Sequence, residues 1–131
     1  MIDCESEREN EFPQVISVRD HTLRADVGPE LGGEDSAPDA HDYFDSALAA
    51  CKSLTAVWYA KRKNIPLERV RSHVERDASE ERKGTYKLKV RLELEGPMTD
   101  EQRKMIYDAV ARCPVHKLMT TTTVEIETEP L

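Results

Sequence analysis

Thr85-Tyr86-Lys87-Leu88-Lys89-Val90-Arg91-Leu92-Glu93-Leu94-Glu95 alternates apolar and polar side chains over its length. Successive side chains of a strand point to opposite faces. The period of two therefore predicts a strand with Tyr86, Leu88, Val90, Leu92 and Leu94 inward and Lys87, Lys89, Arg91 and Glu93 outward. Just before it, Val70 to Ala78 also reads as a strand, and the charged stretch Ser79 to Gly84 is the hairpin turn between them. Two strands joined by so short a turn run antiparallel.

Downstream, Gly96-Pro97 ends the hairpin. Thr99 then caps a helix, with Gln102 at the capping-box position and an apolar face of Met105, Ile106, Ala109, Val110 and Cys113. Pro114 is expected to end that helix, and Thr121 to Thr128, with Val124 and Ile126 alternating with Glu125 and Glu127, to form a last strand.

Upstream lies a longer helix, capped at Asp39 or a neighbour and stopped by Asn64-Ile65-Pro66. Phe44, Ala47, Leu48, Cys51, Leu54, Thr55 and Trp58 recur at steps of three and four, which predicts an apolar stripe with Cys51 at its centre. The flanks are apolar too, through Ala49, Ala50, Ala56 and Val57, so this helix is expected to be covered by more than one layer, a second subunit included. Before it, Gly28-Pro29, Gly32-Gly33 and Ser36-Ala37-Pro38 mark a long loop, of the kind that often carries function. Val15 to Arg19 and Thr22 to Val27 form a first hairpin around Asp20-His21. Residues 1–12 are polar and acidic and are expected to be a flexible arm preceding a single domain over residues 13–131. The expected order is β-β-α-β-β-α-β, an α+β fold on antiparallel sheet.

The charge balance narrows the function. The chain has 131 residues, with 26 Asp and Glu against 19 Lys and Arg, a net charge of -7. Such a field repels phosphate backbones and anionic lipid, so neither nucleic acid nor membrane is an expected partner. No apolar run approaches the roughly 20 residues of a membrane span. The first residues lack the basic and apolar regions of a secretory signal, which makes a cytoplasmic location the expectation. Three cysteines, without an export signal, point to reduced thiols.

Cys51 and Cys113 both fall on apolar helix faces. A cysteine there is ordinarily a small buried hydrophobe, and a redox reading has to come from the pair. A thioredoxin-like scaffold is excluded: there is no Cys-x-x-Cys, the first cysteine lies about three turns into its helix, and no parallel β-α-β start precedes it. Cys113 and His116 make half of a zinc-site spacing, but a site needs three or four ligands and Cys4, His21, His41 and His73 are scattered; no metal is expected. The Lys61-Arg62-Lys63 cluster reads as a solvated helix end.

Gly32-Gly33 with its proline loop, the Ala47-Leu48-Ala49-Ala50-Cys51 helix, Tyr59-Ala60-Lys61-Arg62-Lys63 with Pro66-Leu67-Glu68, and above all Cys113-Pro114-Val115-His116 resemble the OsmC/Ohr proteins, named for osmotic induction and organic hydroperoxide resistance. The resemblance runs from about His21 to the end and is closest to the short OsmC-like branch. It implies an intertwined homodimer with active sites at the subunit interface, and a cysteine-based peroxidase that reduces organic hydroperoxides without metal, flavin or haem. Cys51 would be the peroxidatic thiol and Cys113 the resolving one, recycled by an external dithiol or a lipoyl-bearing protein. Phe44, Leu54, Trp58 and Met119 would line the substrate pocket. The family also places an arginine of the first hairpin and a glutamate ten residues before the nucleophile near the thiol. Arg19 takes the first role here, with Arg24 as the other candidate. His41 occupies the glutamate position, with Asp42 the nearest carboxylate. The alternative is a non-catalytic member of the fold that binds an apolar small molecule or senses redox state.

Overall fold

The computed structural model describes Met1–Leu131 in full. It has five strands and three helices, and the chain divides into two compact units, Met1–Phe44 and Asp45–Leu131.

The first unit is a three-stranded antiparallel sheet: β1 (Ile2–Ser6), β2 (Gln14–Val18) and β3 (His21–Ala25), in that order. The central pairings include Cys4 opposite Ile16 and Ile16 opposite Leu23. The turn between β2 and β3 is Arg19-Asp20, one residue earlier than the sequence pattern suggested, with Arg19 at a φ of 53°. The acidic start of the chain is not wholly a loose arm, for residues 2–6 form β1. Its side chains are all exposed, and what holds it is main-chain pairing to the free edge of β2. Acidity does not oppose that.

The loop after β3 is built around Asp26. This carboxylate is buried and accepts hydrogen bonds from the backbone N–H of Val27, Glu34 and Ser36 and from the Ser36 hydroxyl. Gly33 has room for no side chain: a Cβ there would stand 2.2 Å from the Val27 carbonyl oxygen.

Helix α1 (Ala40–Arg62) follows. Its start carries a reciprocal cap, in which Asp42 N–H donates to the Asp39 carboxylate and Asp39 N–H donates to that of Asp42, satisfying two amides that a helix start otherwise leaves open.

In the second unit β4 (Arg69–Asp77) pairs antiparallel with β5 (Lys87–Glu95), with Val74 opposite Val90, and the inward residues alternate as the sequence predicts. Thr99 and Gln102 form the expected capping box of α2 (Asp100–Val110). The core joins Ala56, Ala60, Ile65, Leu94, Ile106 and Val110.

Two expectations fail at the C-terminal end. Pro114 does not end α2, which stops at Val110; it opens a further helix, α3 (Pro114–Thr120), with Cys113 at the N-cap. Proline suits the first helical position, where its missing N–H would have no partner anyway. Residues 121–128 form no strand. Alternation makes a segment strand-competent, but a strand exists only where an edge offers it main-chain partners.

The orientation of α1 also differs. Its buried residues are Asp45, Leu48, Lys52, Ala56 and Ala60, a stripe displaced around the helix from the expected one. Leu54 and Trp58 are 69% and 58% exposed. The two buried charges have partners supplied by distant segments. Asp45 accepts from Arg76 Nε at 2.5 Å and from the Tyr86 hydroxyl at 2.7 Å.

Candidate functional site

The second unit holds a cavity of about 650 Å³ lined by Ala47, Ala50, Cys51, Leu54, Thr55 and Trp58 of α1, by Ala109 and Arg112, and by Pro114 and Val115 at the start of α3. Its wall is almost wholly carbon. Leu54 and Trp58 line it as expected; Phe44 and Met119 do not. The small side chains at 47 and 50 leave the space open beside Cys51, which is why an alanine-rich helix serves here. Arg62 lies over the Trp58 ring, 5.2 Å from its centroid, one turn further along α1.

Cys51, on this wall, has Cys113 as a neighbour although the two are 62 residues apart in the chain. Both are free thiols, Cys51 half-buried and Cys113 buried. The Cys51 sulfur accepts a hydrogen bond from the backbone N–H of Val115 at 3.3 Å. Cys113 lies close enough to Cys51 for the Cys51 sulfur to act on its ionisation. Burial pushes the Cys113 thiol up from its ordinary value. The backbone N–H of His116 opposes that shift, the Cys51 sulfur reinforces it, and the charge of Lys52 opposes it. Because Pro114 starts a helix instead of merely ending one, the amide of Val115 is aimed at the Cys51 sulfur.

Lys52 is the residue the sequence reading missed. It follows Cys51 directly and is only 5% exposed. Its Nζ donates to the carbonyl oxygens of Val110 (2.7 Å) and Ala111 (3.3 Å), and lies 3.0 Å from His116 Nδ1. A lysine in an apolar helix ordinarily counts as solvated, and no local pattern marks this one. Its acceptors are the carbonyls left open at the end of α2, which only the fold brings near.

The other residues singled out from sequence lie in the first unit. Arg19 is exposed at the β2–β3 turn. Arg24 forms a two-pronged ion pair with Glu7, in which the hydrogen bonds hold Glu7 below and Arg24 above their ordinary values. His41 is exposed in the first turn of α1, and Asp42 is in the reciprocal cap. No group of three or more His, Cys, Asp or Glu side chains converges to hold a metal ion. No helix is long and apolar enough to cross a membrane.

The family model for OsmC-like proteins matches residues 33–129. The chain belongs to the OsmC-like protein family. Solved structures of the family share the fold. An OsmC-like protein of Mycoplasma pneumoniae superimposes with a TM-score of 0.73 at 20% identity, over 92% of this chain and 86% of the other. An organic hydroperoxide resistance protein OsmC of Legionella pneumophila gives 0.64 at 21% identity, over 92% and 88%. The organic hydroperoxide resistance protein OhrB of Bacillus subtilis gives 0.58 at 19% identity, over 92% and 90%. At these identities the likeness establishes the α+β OsmC-like fold. No functionally curated protein matches the sequence.

Proposed function

We propose that this OsmC-like chain is a thiol-dependent peroxidase that reduces organic hydroperoxides to alcohols. The observation that carries the reading is the half-buried Cys51 sulfur on the wall of an apolar cavity, held by the Val115 amide beside the buried Cys113. Membership of a family whose solved members include hydroperoxide resistance proteins supports it.

The cavity seats the organic group of the substrate, which gains by leaving water. The Cys51 thiolate attacks the terminal peroxide oxygen. The O–O bond breaks, the alkoxide leaves and takes a proton to become the alcohol, and Cys51 is left as a sulfenic acid. Cys113 then forms a disulfide with Cys51, releasing water, and an external dithiol or lipoyl-bearing protein restores both thiols by exchange. Arg19 is the hairpin arginine of this reading; Arg24 is already engaged by Glu7. Arg112 on the lining suits an acyl chain that ends in a carboxylate. No cofactor takes part.

The same reading makes the active form a cytoplasmic homodimer. Leu54, Val57 and Trp58 on α1 and Val124 and Ile126 near the end of the chain are exposed, apolar surface suited to a second copy. Light scattering on the eluting protein tests this, and a monomer would argue against it.

The decisive experiment is steady consumption of cumene hydroperoxide with dihydrolipoamide by wild type and by Cys51→Ser. Loss of turnover in the variant is expected; equal rates would refute the reading. A redox sensor would instead react once per chain and stop.

A further inference from the structure

Lys52 has three N–H bonds as an ammonium and three acceptors around it: the carbonyls of Val110 and Ala111 and the Nδ1 of His116. That donor count matches the charged form, and it assigns His116 the tautomer with its proton on Nε2. The acceptors bracket Cys113 in the chain, two of them just before it and one just after. The lysine is thus held by the same short segment that presents Cys113. A buried lysine engaged only in structure would cap a helix end; this one is seated on both sides of Cys113, where its charge opposes the upward push of burial on that thiol. The ionisable groups around Cys113 are Cys51 and Lys52 from α1 and His116 from α3, with Arg112 lining the adjoining cavity.

We propose that Lys52 is a positioning residue for the resolving step: its buried ammonium, seated on the last carbonyls of α2 and on His116, stabilises the Cys113 thiolate that attacks oxidised Cys51. This rests on the peroxidase reading above. In that step Cys113 first loses its proton to solvent. Its sulfur forms the S–S bond as the S–O bond of the Cys51 sulfenic acid breaks, and the departing hydroxide takes up a proton as water. Cys113 is oxidised and Cys51 reduced, so no further reagent is needed. A neutral side chain at position 52 leaves Cys51 to meet peroxide as before but leaves the attacking thiolate scarce.

The test is single-turnover oxidation of the full-length protein by one equivalent of cumene hydroperoxide, across pH. Dimedone trapping and mass spectrometry then follow the sulfenic acid and the disulfide separately. Lys52→Met is expected to form Cys51 sulfenic acid at a rate close to wild type. At neutral pH it should convert that acid to disulfide about tenfold more slowly, because less of Cys113 is present as thiolate. Its disulfide rate should recover as pH rises, and Lys52→Arg should restore much of it. A Lys52→Met variant with wild-type disulfide rate and pH profile overturns the proposal alone. Wild type that never oxidises Cys51 overturns the peroxidase reading and this proposal with it. If Lys52→Met does not fold, Cys51→Ser with isotope-labelled lysine decides. The Lys52 Nζ resonance should shift together with the ultraviolet thiolate absorbance of Cys113, and a resonance indifferent to that ionisation overturns the proposal.

Discussion

The backbone N–H of Val115 donates to the Cys51 sulfur at 3.3 Å, joining the first turn of α3 to the middle of α1. The contact depends on Pro114 opening a helix, which turns the Val115 amide toward the Cys51 sulfur. Cys51 is therefore held facing two things: an apolar cavity and the thiol of Cys113.

That arrangement separates the roles of the two cysteines. Cys113→Ser should still react once with peroxide, and its Cys51 sulfenic acid should persist long enough for dimedone to trap it. Disulfide formation should be abolished. Mass spectrometry of wild type after one equivalent of peroxide should show a Cys51–Cys113 bond, and finding the bond elsewhere would contradict the assignment.

On the proposed peroxidase reading, Arg112 bears on substrate choice. An exposed ion pair contributes about 0.2–1 kcal/mol, so Arg112→Ala should raise KM for a fatty-acid hydroperoxide by about 1.4- to fivefold. KM for uncharged cumene hydroperoxide should stay unchanged. Parallel effects on both substrates would remove Arg112 from carboxylate recognition.

Asp26 makes stability depend on acidity. The Ser36 hydroxyl, then the backbone N–H groups of Ser36, Val27 and Glu34, hold its carboxyl down to about 2 from an ordinary 3.8, against the opposing effect of burial. The folded value lies below the unfolded one, so this contribution is complete above about pH 4 and is lost as pH falls through about 2. Urea midpoints taken over that window should fall in wild type. In Asp26→Asn the decline should be shallower, starting from a lower plateau.

Tyr86 should titrate apart from ordinary tyrosine. Burial first, then its hydrogen bond to the Asp45 carboxylate, raises the phenol from 10.0 to about 12. A raised folded value stabilises fully below the unfolded value and is lost as pH climbs through the folded one. Absorbance titration of the folded protein should show a phenolate component near 12 that is missing from Tyr86→Phe.

Ile106 is fully buried, at 0% exposure, in the core of the second unit. Ile106→Ala should cost about 2–5 kcal/mol of stability, the transfer of its side chain plus the cavity left behind. Chemical denaturation measures this directly, and a loss well under 1 kcal/mol would mean the site collapses around the gap.

Much of this was legible in the sequence because it is local. The alternation from Leu88 to Leu94, the Thr99–Gln102 capping box and the extent of α1 depend on neighbours within a turn or a strand, and the Cys113-Pro114-Val115-His116 motif carried the family. Tertiary structure alone decided the rest, where partners come from afar. Main-chain pairing with β2 made residues 2–6 a strand, while residues 121–128, with a better pattern, form none. The inward face of α1 was set by Arg76 and Tyr86 receiving Asp45, and by the open end of α2 receiving Lys52. A charge is stable in a core only when distant groups compensate it, and such compensation has no local signature. The cysteine pair was visible in the sequence; the lysine beside it emerged only once the chain had folded.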